Sequence, residues 1–318
     1  MEMDVNMDIE FHYYITYILA RKSGYTISDA STIAYACQYT DDNNDIYTVN
    51  LSGGRRYENF ISQTLDIFHP KNKKNHIYTC FHFLSGDFTS QQAGRTDGTQ
   101  HIFNTTPNSE NARKMFTAAL KSGDIYRIGI AAHCYADTWA HQNFVGFKHG
   151  FNLQKGVIQR LIRIPVMMLV PGIGHAEFQE QPDIPNLRWV DRRLAGPQRM
   201  ISNKQRFLDA CEALFTCFAE HNGLDDIKQR WATLAAELDN AIGDESESVA
   251  KARGKKAKRI SAYRAICPDM PQYDEKQWLM DAAEPMVSKF VKRCDRLWQR
   301  AGQVVERSCR SPSYCVGV

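Results

Sequence analysis

No apolar run in this 318-residue sequence approaches the roughly 20 residues needed to span a bilayer. The longest, Ile164–Ile173, is short and carries Pro165 and Pro171. CxxC pairs are absent, which excludes a zinc ribbon. The nine cysteines are odd in number and scattered, a pattern of reduced thiols rather than a disulfide framework. Cys315, in the terminal CVGV, is a poor match to a prenylation box. A net charge of only +3 argues against a general nucleic-acid binder, and no specific nucleic-acid reader is expected. The opening MEMDVNMDIEF is acidic and has no apolar stretch of the secretory kind, so a cytoplasmic protein is expected, with delivery as an effector left open. Internal repeats are missing and strand signals are few. An adjacent His-Asp dipeptide is also missing, which counts against a phosphohydrolase of the HD type.

What is present is enough apolar material for a real core: 43% hydrophobic residues against 24% charged. Helical periodicity recurs along the chain, so the expected class is all-α, a multi-helix bundle. We expect a metal-binding helical core over residues 1–200. Residues 201–318 would form C-terminal helices packed on it, unless the whole is one continuous domain.

The sequence is organised around Ile128–Phe147, which reads as one helix. His133, Asp137 and His141 recur at steps of four, each step turning about 400° and climbing about 6 Å. They share one face. Gly129, Ala132, Ala136 and Ala140 form a second stripe, small enough for a neighbouring helix to approach closely. Two imidazoles and a carboxylate pushed toward such an interface need a compensating partner. His133 and His141 are separated by roughly 12 Å of rise, too far for both to hold one ion at about 2 Å. Asp137 lies between them and can bridge, so on the order of one to three metal ions is expected. The competing reading is a hydrogen-bonded His–Asp–His ladder. Cys134 points about 100° away and reads as packing.

Other candidates follow in chain order. Asp8–Arg21 has a helical period, with Glu10 and His12 near its start and Gly24 ending it. A second helix, Asp29–Tyr39, capped by Ser28, runs into Asp41 and Asp42. Two carboxylates there oppose the helix dipole and call for a cation, although DDNND is also turn chemistry. A short connection would bring Asp41 or Asp42 near His12. A short helix is expected over Tyr57–Ile67. His69 and His76 flank a basic loop and read as exposed. His82 lies in the apolar run Ile77–Leu84, either as a satisfied core residue or as a ligand. Ser85–Thr106 is a long polar loop suited to a lid or substrate loop carrying Arg95. A helix over Asn108–Leu120 is capped by Asn108 or Ser109. His149 follows the central helix, and His175, with Glu177 and Glu180 nearby, follows a glycine turn. Phe207–Glu220 and Leu224–Ile242 are amphipathic. The charged stretch 244–258 reads mainly as a solvated face, and Asp274–Arg307 as a last long helix.

In its order of ligand types, this set resembles the zinc-dependent phospholipase C and single-strand-specific nuclease superfamily. The resemblance covers roughly residues 8–180, and its specific element is HxxxD within a small-residue helix. It implies an all-helical fold resembling that of the superfamily, with a C-terminal helical extension, and a cluster of two or three zinc ions, with manganese or iron as alternatives. The implied ligands are His12, Asp41 or Asp42, His82, His133, Asp137 as the bridging carboxylate, His141, and His149 or His175. The superfamily uses the amine of an N-terminal Trp as a ligand. Here no Trp precedes Trp139, and Glu10 is the substitute the sequence offers. No HxxxE follows the HxxxD pair. The segments FHYYITYILARKSG, AYACQYTDD, FHFL and HCYADTWAHQNFVG also resemble a family of uncharacterised bacterial proteins.

The activity implied is metal-dependent hydrolysis of a phosphodiester or phosphomonoester, with Asp41 or Asp42 orienting or deprotonating the attacking water. The substrate would be a phosphoester small molecule or a phospholipid; the sequence names no protein partner. The rival is a non-enzymatic helical scaffold or binding protein, with a structural metal or a buried His/Asp network.

Overall fold

The computed structural model describes residues 9–46, 48–50, 54, 56–64, 77–87, 94–154 and 172–277. The chain divides into two compact units. The first comprises Met1–Asp42 with Ser62–Pro271, and the second Asn43–Ile61 with Gln272–Val318. The expected helix at Asp274–Arg307 lies almost wholly outside the described residues, as do His69 and His76.

The first unit is helical. Its described α-helices are α1 (Thr16–Lys22), α2 (Ile27–Asp42), α3 (Glu110–Ser122), α4 (Ile125–Ala140), α5 (Asn203–His221), α6 (Ile227–Ile242), α7 (Val249–Gly254) and α8 (Lys256–Ile266). Two short segments, Glu10–Ile15 and Tyr78–His82, are π-helical. In each the backbone bond spans five residues: Thr16 N–H donates to the Phe11 carbonyl, and Phe83 N–H to the Tyr78 carbonyl at 2.7 Å. Such turns are rare and concentrate at functional sites.

The central pair is α2 against α4, held close by the small-residue stripe. A methyl group added at Gly129 would lie 2.4 Å from the Ile33 carbonyl oxygen and 2.7 Å from Ala36 Cβ. Glycine is therefore required for the approach itself. This contact turns the last two turns of α2, with Cys37 and Asp41, toward the face of α4 that carries His133 and Asp137.

Around this pair, α5 seats Phe207 edge-on against Phe11 and Phe218 against Phe116. A second apolar cluster joins Phe83, Phe144, Phe178, Leu187, Trp189 and Ile201. Its frame is a two-stranded ladder, β3 (Arg188–Val190) with β4 (Met200–Ser202), in which Trp189 faces Ile201. Asn203 ties the ladder down: its amide donates to the Gln181 and Ile184 carbonyls, and its oxygen accepts from Trp189 Nε1 at 2.8 Å.

The second unit holds one described ladder, β1 (Thr48–Asn50) antiparallel to β2 (Arg56–Glu58). Asn43 and Asn59 brace its base, bonding each other at 3.1 Å and the carbonyls of Phe60 and Asp45.

Several expected boundaries are corrected. The central helix ends at Ala140, not Phe147; Asn143, at φ 71°, takes the left-handed turn that a helix cannot continue through. Asn152 then gathers the carbonyls of Val145, Phe147 and Gly172. Helix α2 starts earlier than Ser28 allows, because Thr26 Oγ1 accepts from Asp29 N–H at 3.1 Å and is the true cap. It also runs on through Asp42. Residues 56–58 are a strand where a helix was expected. Ser109 caps α3, accepting from Ala112 N–H. The charged stretch near 250–259 is not simply a solvated face: Arg259 is buried, and binds both oxygens of Glu10 at 2.7 Å.

Candidate metal centre

Four elements deliver buried side chains to one point. The first π-helical segment brings His12, the last turn of α2 brings Asp41, the second π-helical segment ends on His82, and α4 contributes His133 and Asp137. A π turn carries an extra residue, so it rotates the side chains that follow it. That rotation sets the aim of both His12 and His82.

Asp137 is the hub. Its Oδ1 lies 3.3 Å from His12 Nε2, and its Oδ2 lies 3.3 Å from His82 Nδ1, 3.3 Å from His133 Nε2 and 3.4 Å from His141 Nδ1. Asp41 faces three of these nitrogens, those of His12, His82 and His133, at 3.5 to 3.7 Å. The two nitrogens His133 Nε2 and His82 Nδ1 are themselves 3.2 Å apart.

These separations carry chemical information. A charge-assisted hydrogen bond between imidazolium and carboxylate closes to about 2.7–2.9 Å. Ligand atoms set tetrahedrally at about 2.0–2.1 Å from an ion stand about 3.3 Å from one another. The inward-facing atoms have the second spacing. Among the described residues, both oxygens of Asp41 are buried and accept no hydrogen bond, and His133 Nδ1 is buried without one. A buried carboxylate without donors is costly. A divalent cation satisfies it, so the donor set fits a metal.

The nitrogens bonded to backbone carbonyls behave in the opposite way. His82 Nε2 donates to the Ser62 carbonyl at 2.9 Å, and Ser62 Oγ in turn donates to the Thr40 carbonyl at 2.8 Å. His141 Nδ1 donates to the His82 carbonyl at 2.7 Å, and His175 Nδ1 to the Gln179 carbonyl at 2.7 Å. In the neutral ring each bond fixes the tautomer and leaves the lone pair on the other nitrogen. This is how protein groups beyond the ligands orient metal-binding imidazoles.

The freed nitrogens of His141 and His175 define a second group. His141 Nε2 lies 3.2 Å from Asp183 Oδ1, and His175 Nε2 lies 3.6 Å from Asp183 Oδ2. Phe83 stacks on the His141 ring at 4.7 Å. A third group places Cys37 Sγ and a nitrogen from each of His12 and His133 within 4.8 Å of one another; His12 contributes Nδ1, 3.6 Å from the sulfur. Together these groups can hold a metal ion.

Electrostatics without an ion reflect the crowding. Burial lowers the His12 pKa, but the Asp137 carboxylate and the Cys37 thiol outweigh it and hold it well above the usual range. Burial and the neighbouring His12 charge lower that of His133, yet Asp137 and Asp41 raise it to about 9. His141 reaches about 9 as well, with Asp137 and Asp183 overcoming burial. Burial pushes Asp137 up, but His141 and His133 hold it well below the normal carboxylate value. His175 is lowered by burial.

A recess reaches the centre and is lined by His12, Asp137, Asp183 and Arg206 among others.

The family match spans residues 7–304, so all three groups lie within it. The chain belongs to DUF6765, a family of unknown function. No curated protein and no solved structure matches it. Membership of DUF6765 agrees with the expected likeness to an uncharacterised family. No link to the zinc-dependent phospholipase C and nuclease superfamily comes with it.

Of the candidate residues in this DUF6765 chain, the fold brings together His12, Asp41, His82, His133, Asp137, His141 and His175. It leaves two outside the three groups. Asp42 is half-buried and accepts from Gln38 Nε2 at 3.2 Å. His149 caps the turn Gly150–Asn152, accepting from Phe151 N–H, with its ring edge-on to His101 at 4.7 Å. Glu10 does not substitute for the missing Trp ligand, since Arg259 grips it. Glu177 and Glu180 do not join His175: one accepts from Gln154 N–H and the other pairs with Arg253. Arg95 is buried rather than displayed, bound to Asp97 and the Phe151 carbonyl. Sequence reasoning missed Cys37, Asp183 and Arg206. Asp183 had a signal, a carboxylate eight residues after His175 in the same turn-rich stretch. Cys37 had one too, as it lies four residues before Asp41 on the same helix. Arg206 had none.

Among the described residues no helix is long and apolar enough to cross a membrane.

Proposed function

We propose that this protein is a metal-dependent hydrolase of phosphoester bonds. One observation carries the reading: His12, Asp41, His82, His133 and Asp137 converge at the spacing of metal ligands, and both Asp41 oxygens are buried without a donor among the described residues. We assign His12, Asp41, His82, His133 and Asp137 to a first metal position, and His141, His175 and Asp183 to a second. Mixed imidazole and carboxylate donors suit zinc first, then manganese or iron. Bound ions would supply Lewis acidity and a nucleophile at neutral pH.

The chain's own residues do the remainder. Asp137 holds four imidazoles in register through its two oxygens. Ser62, Gln179 and the His82 carbonyl keep the imidazole lone pairs pointing inward. Of the two adjacent carboxylates, Asp41 is the one assigned to orient the attacking water, because Asp42 faces Gln38. In this reading substrate approaches the His12, Asp137 and Asp183 side, which the recess lines.

A second reading has its own observation. His82 and His133 are 0% exposed, and a closed, dry site is the mark of a structural metal. The same experiment separates them. Elemental analysis of the purified protein gives the metal-to-chain ratio, and a panel of phosphodiesters and phosphomonoesters is then assayed with and without chelator. Two ions per chain and chelator-sensitive hydrolysis are expected. One tightly held ion and no turnover would establish the structural reading, and a folded chain that takes up no ion would remove both.

A further inference from the structure

The recess contains a charge that no acid among the described residues pairs with. Arg206 lies in the first turn of α5 and is 8% exposed. Its guanidinium makes one hydrogen bond, from Nη1 to the Ala140 carbonyl at 3.2 Å. Nε and Nη2, the two donors of its side-on fork, bond to no group among the described residues. It forms no ion pair there either. The acid that acts on it electrostatically, Asp191, is already bound through both oxygens to Arg193.

The other buried arginines of the first unit show how unusual this is. Arg193 is clamped by Asp191 at 2.7 Å and lies 3.9 Å over the Phe144 ring. Arg259 is clamped by Glu10 and also donates to Asn186 and the Ala252 carbonyl. Arg95 has Asp97, Thr99 and the Phe151 carbonyl. Each of these is complete. Arg206 alone among them lines a recess shared with His12, Asp137 and Asp183. Burial lowers its pKa to about 9, which still leaves it charged at neutral pH. A desolvated guanidinium with a free fork is matched by a bidentate oxyanion.

We propose that Arg206 is the anion-binding residue of this site and takes the phosphoryl group of the substrate through Nε and Nη2. The recess walls beside it are Phe11, Trp139 and Phe207, which offer apolar contact to the rest of the ester. The assignment rests on the phosphoesterase reading for its substrate class. The arginine, the recess and the free fork are independent of that reading.

Inorganic phosphate is the probe, titrated calorimetrically into the full chain as purified, with the metal-to-chain ratio measured on the same samples. Arg206→Met keeps the length of the side chain and removes the fork; Arg206→Lys keeps the charge alone. We expect Arg206→Met to weaken phosphate binding by about tenfold to a hundredfold, as loss of a charge-assisted contact does. The metal ratio should be unchanged, and Arg206→Lys should fall between. Acetate should compete poorly with phosphate. A folded Arg206→Met chain with wild-type phosphate affinity overturns the assignment. So does a wild-type chain that binds no phosphate, and so does acetate competing as well as phosphate. If the methionine variant does not fold, Arg206→Lys decides: wild-type affinity there overturns the role of the fork. Arg206-dependent phosphate binding in a chain that holds no metal would uphold this assignment while the metal-dependent reading falls.

Discussion

The first unit buries charge in two different ways. At Glu10–Arg259 and Asp191–Arg193 the partners close to 2.7 Å, each pair is fork to carboxylate, and further donors are absorbed by Asn186, Ala252, Phe151 and Asn152. At the His/Asp cluster, two residues along the chain from Glu10, the groups stand 3.2 to 3.7 Å apart and Asp41 accepts no hydrogen bond from any described residue. One kind of site is finished by the polypeptide. The other has the inward spacing of a shell and satisfied hydrogen bonds only on its outer side. Burial and charge are shared by both, so neither identifies a metal position; the separation between the charged atoms does.

Breaking a finished pair should cost the most. Glu10→Gln leaves the Arg259 guanidinium buried without its counter-charge, and we expect a loss of about 3–5 kcal/mol in urea unfolding. The loss should be equal with and without chelator. A cost that disappears in chelator would place Glu10 in the metal shell after all.

Gly129→Ala should come next. The added methyl overlaps the Ile33 carbonyl, so α2 must move off α4, at about 1–3 kcal/mol. Asp41 rides on α2, so metal content should fall with stability. Unchanged melting and full metal content would show that the helices approach less closely than described.

A smaller effect, and opposite in sign for the two forms, should appear with pH. His133 and His141 have folded pKa values raised to about 9. Raised values favour the folded metal-free chain fully below the free-imidazole value of about 6.5. That contribution is lost as pH climbs through about 9. Metal ligands must be deprotonated, so the stabilisation gained from metal should increase over the same interval. Unfolding curves of metal-free and metal-loaded protein from pH 6 to 9 should therefore diverge; parallel curves would exclude these two imidazoles as ligands.

The smallest effect should come from Asp42→Asn. Half-buried and facing Gln38, it should alter metal content not at all and stability by less than about 0.5 kcal/mol. Metal loss in this variant would reverse the choice of Asp41 over Asp42.

How much of this was legible in the sequence depends on the range of the signal. His133 and Asp137 share a helical face, and the small stripe beside them announces a close neighbour; both are local patterns, and both describe the packing seen. Asp183 lies on a short turn with no period, so nothing local links it to His141, 42 residues earlier. Arg259 meets Glu10 across 249 residues, and its run of lysines and arginines looks like any solvated face. The end of α4 was misjudged because Phe144, Val145 and Phe147 continue the apolar pattern past Asn143, whose positive φ ends the helix. The π turns are the hardest case. FHYYI and YTCFH contain nothing that distinguishes a five-residue bond from a four-residue one, since the choice is made by what the turn packs against.

Those two turns also bear on how such a centre is lost or acquired. A π turn is an α-helix with one residue added. Deleting one residue between Glu10 and Ile15, or between Tyr78 and His82, would restore ordinary helical counting and swing the residues on one side by about 100°. His12 or His82 would remain in the sequence and leave the cluster. A single-codon change can thus dismantle the site while every histidine and aspartate is retained, and a single-codon insertion into a plain helix can aim a histidine where none pointed before.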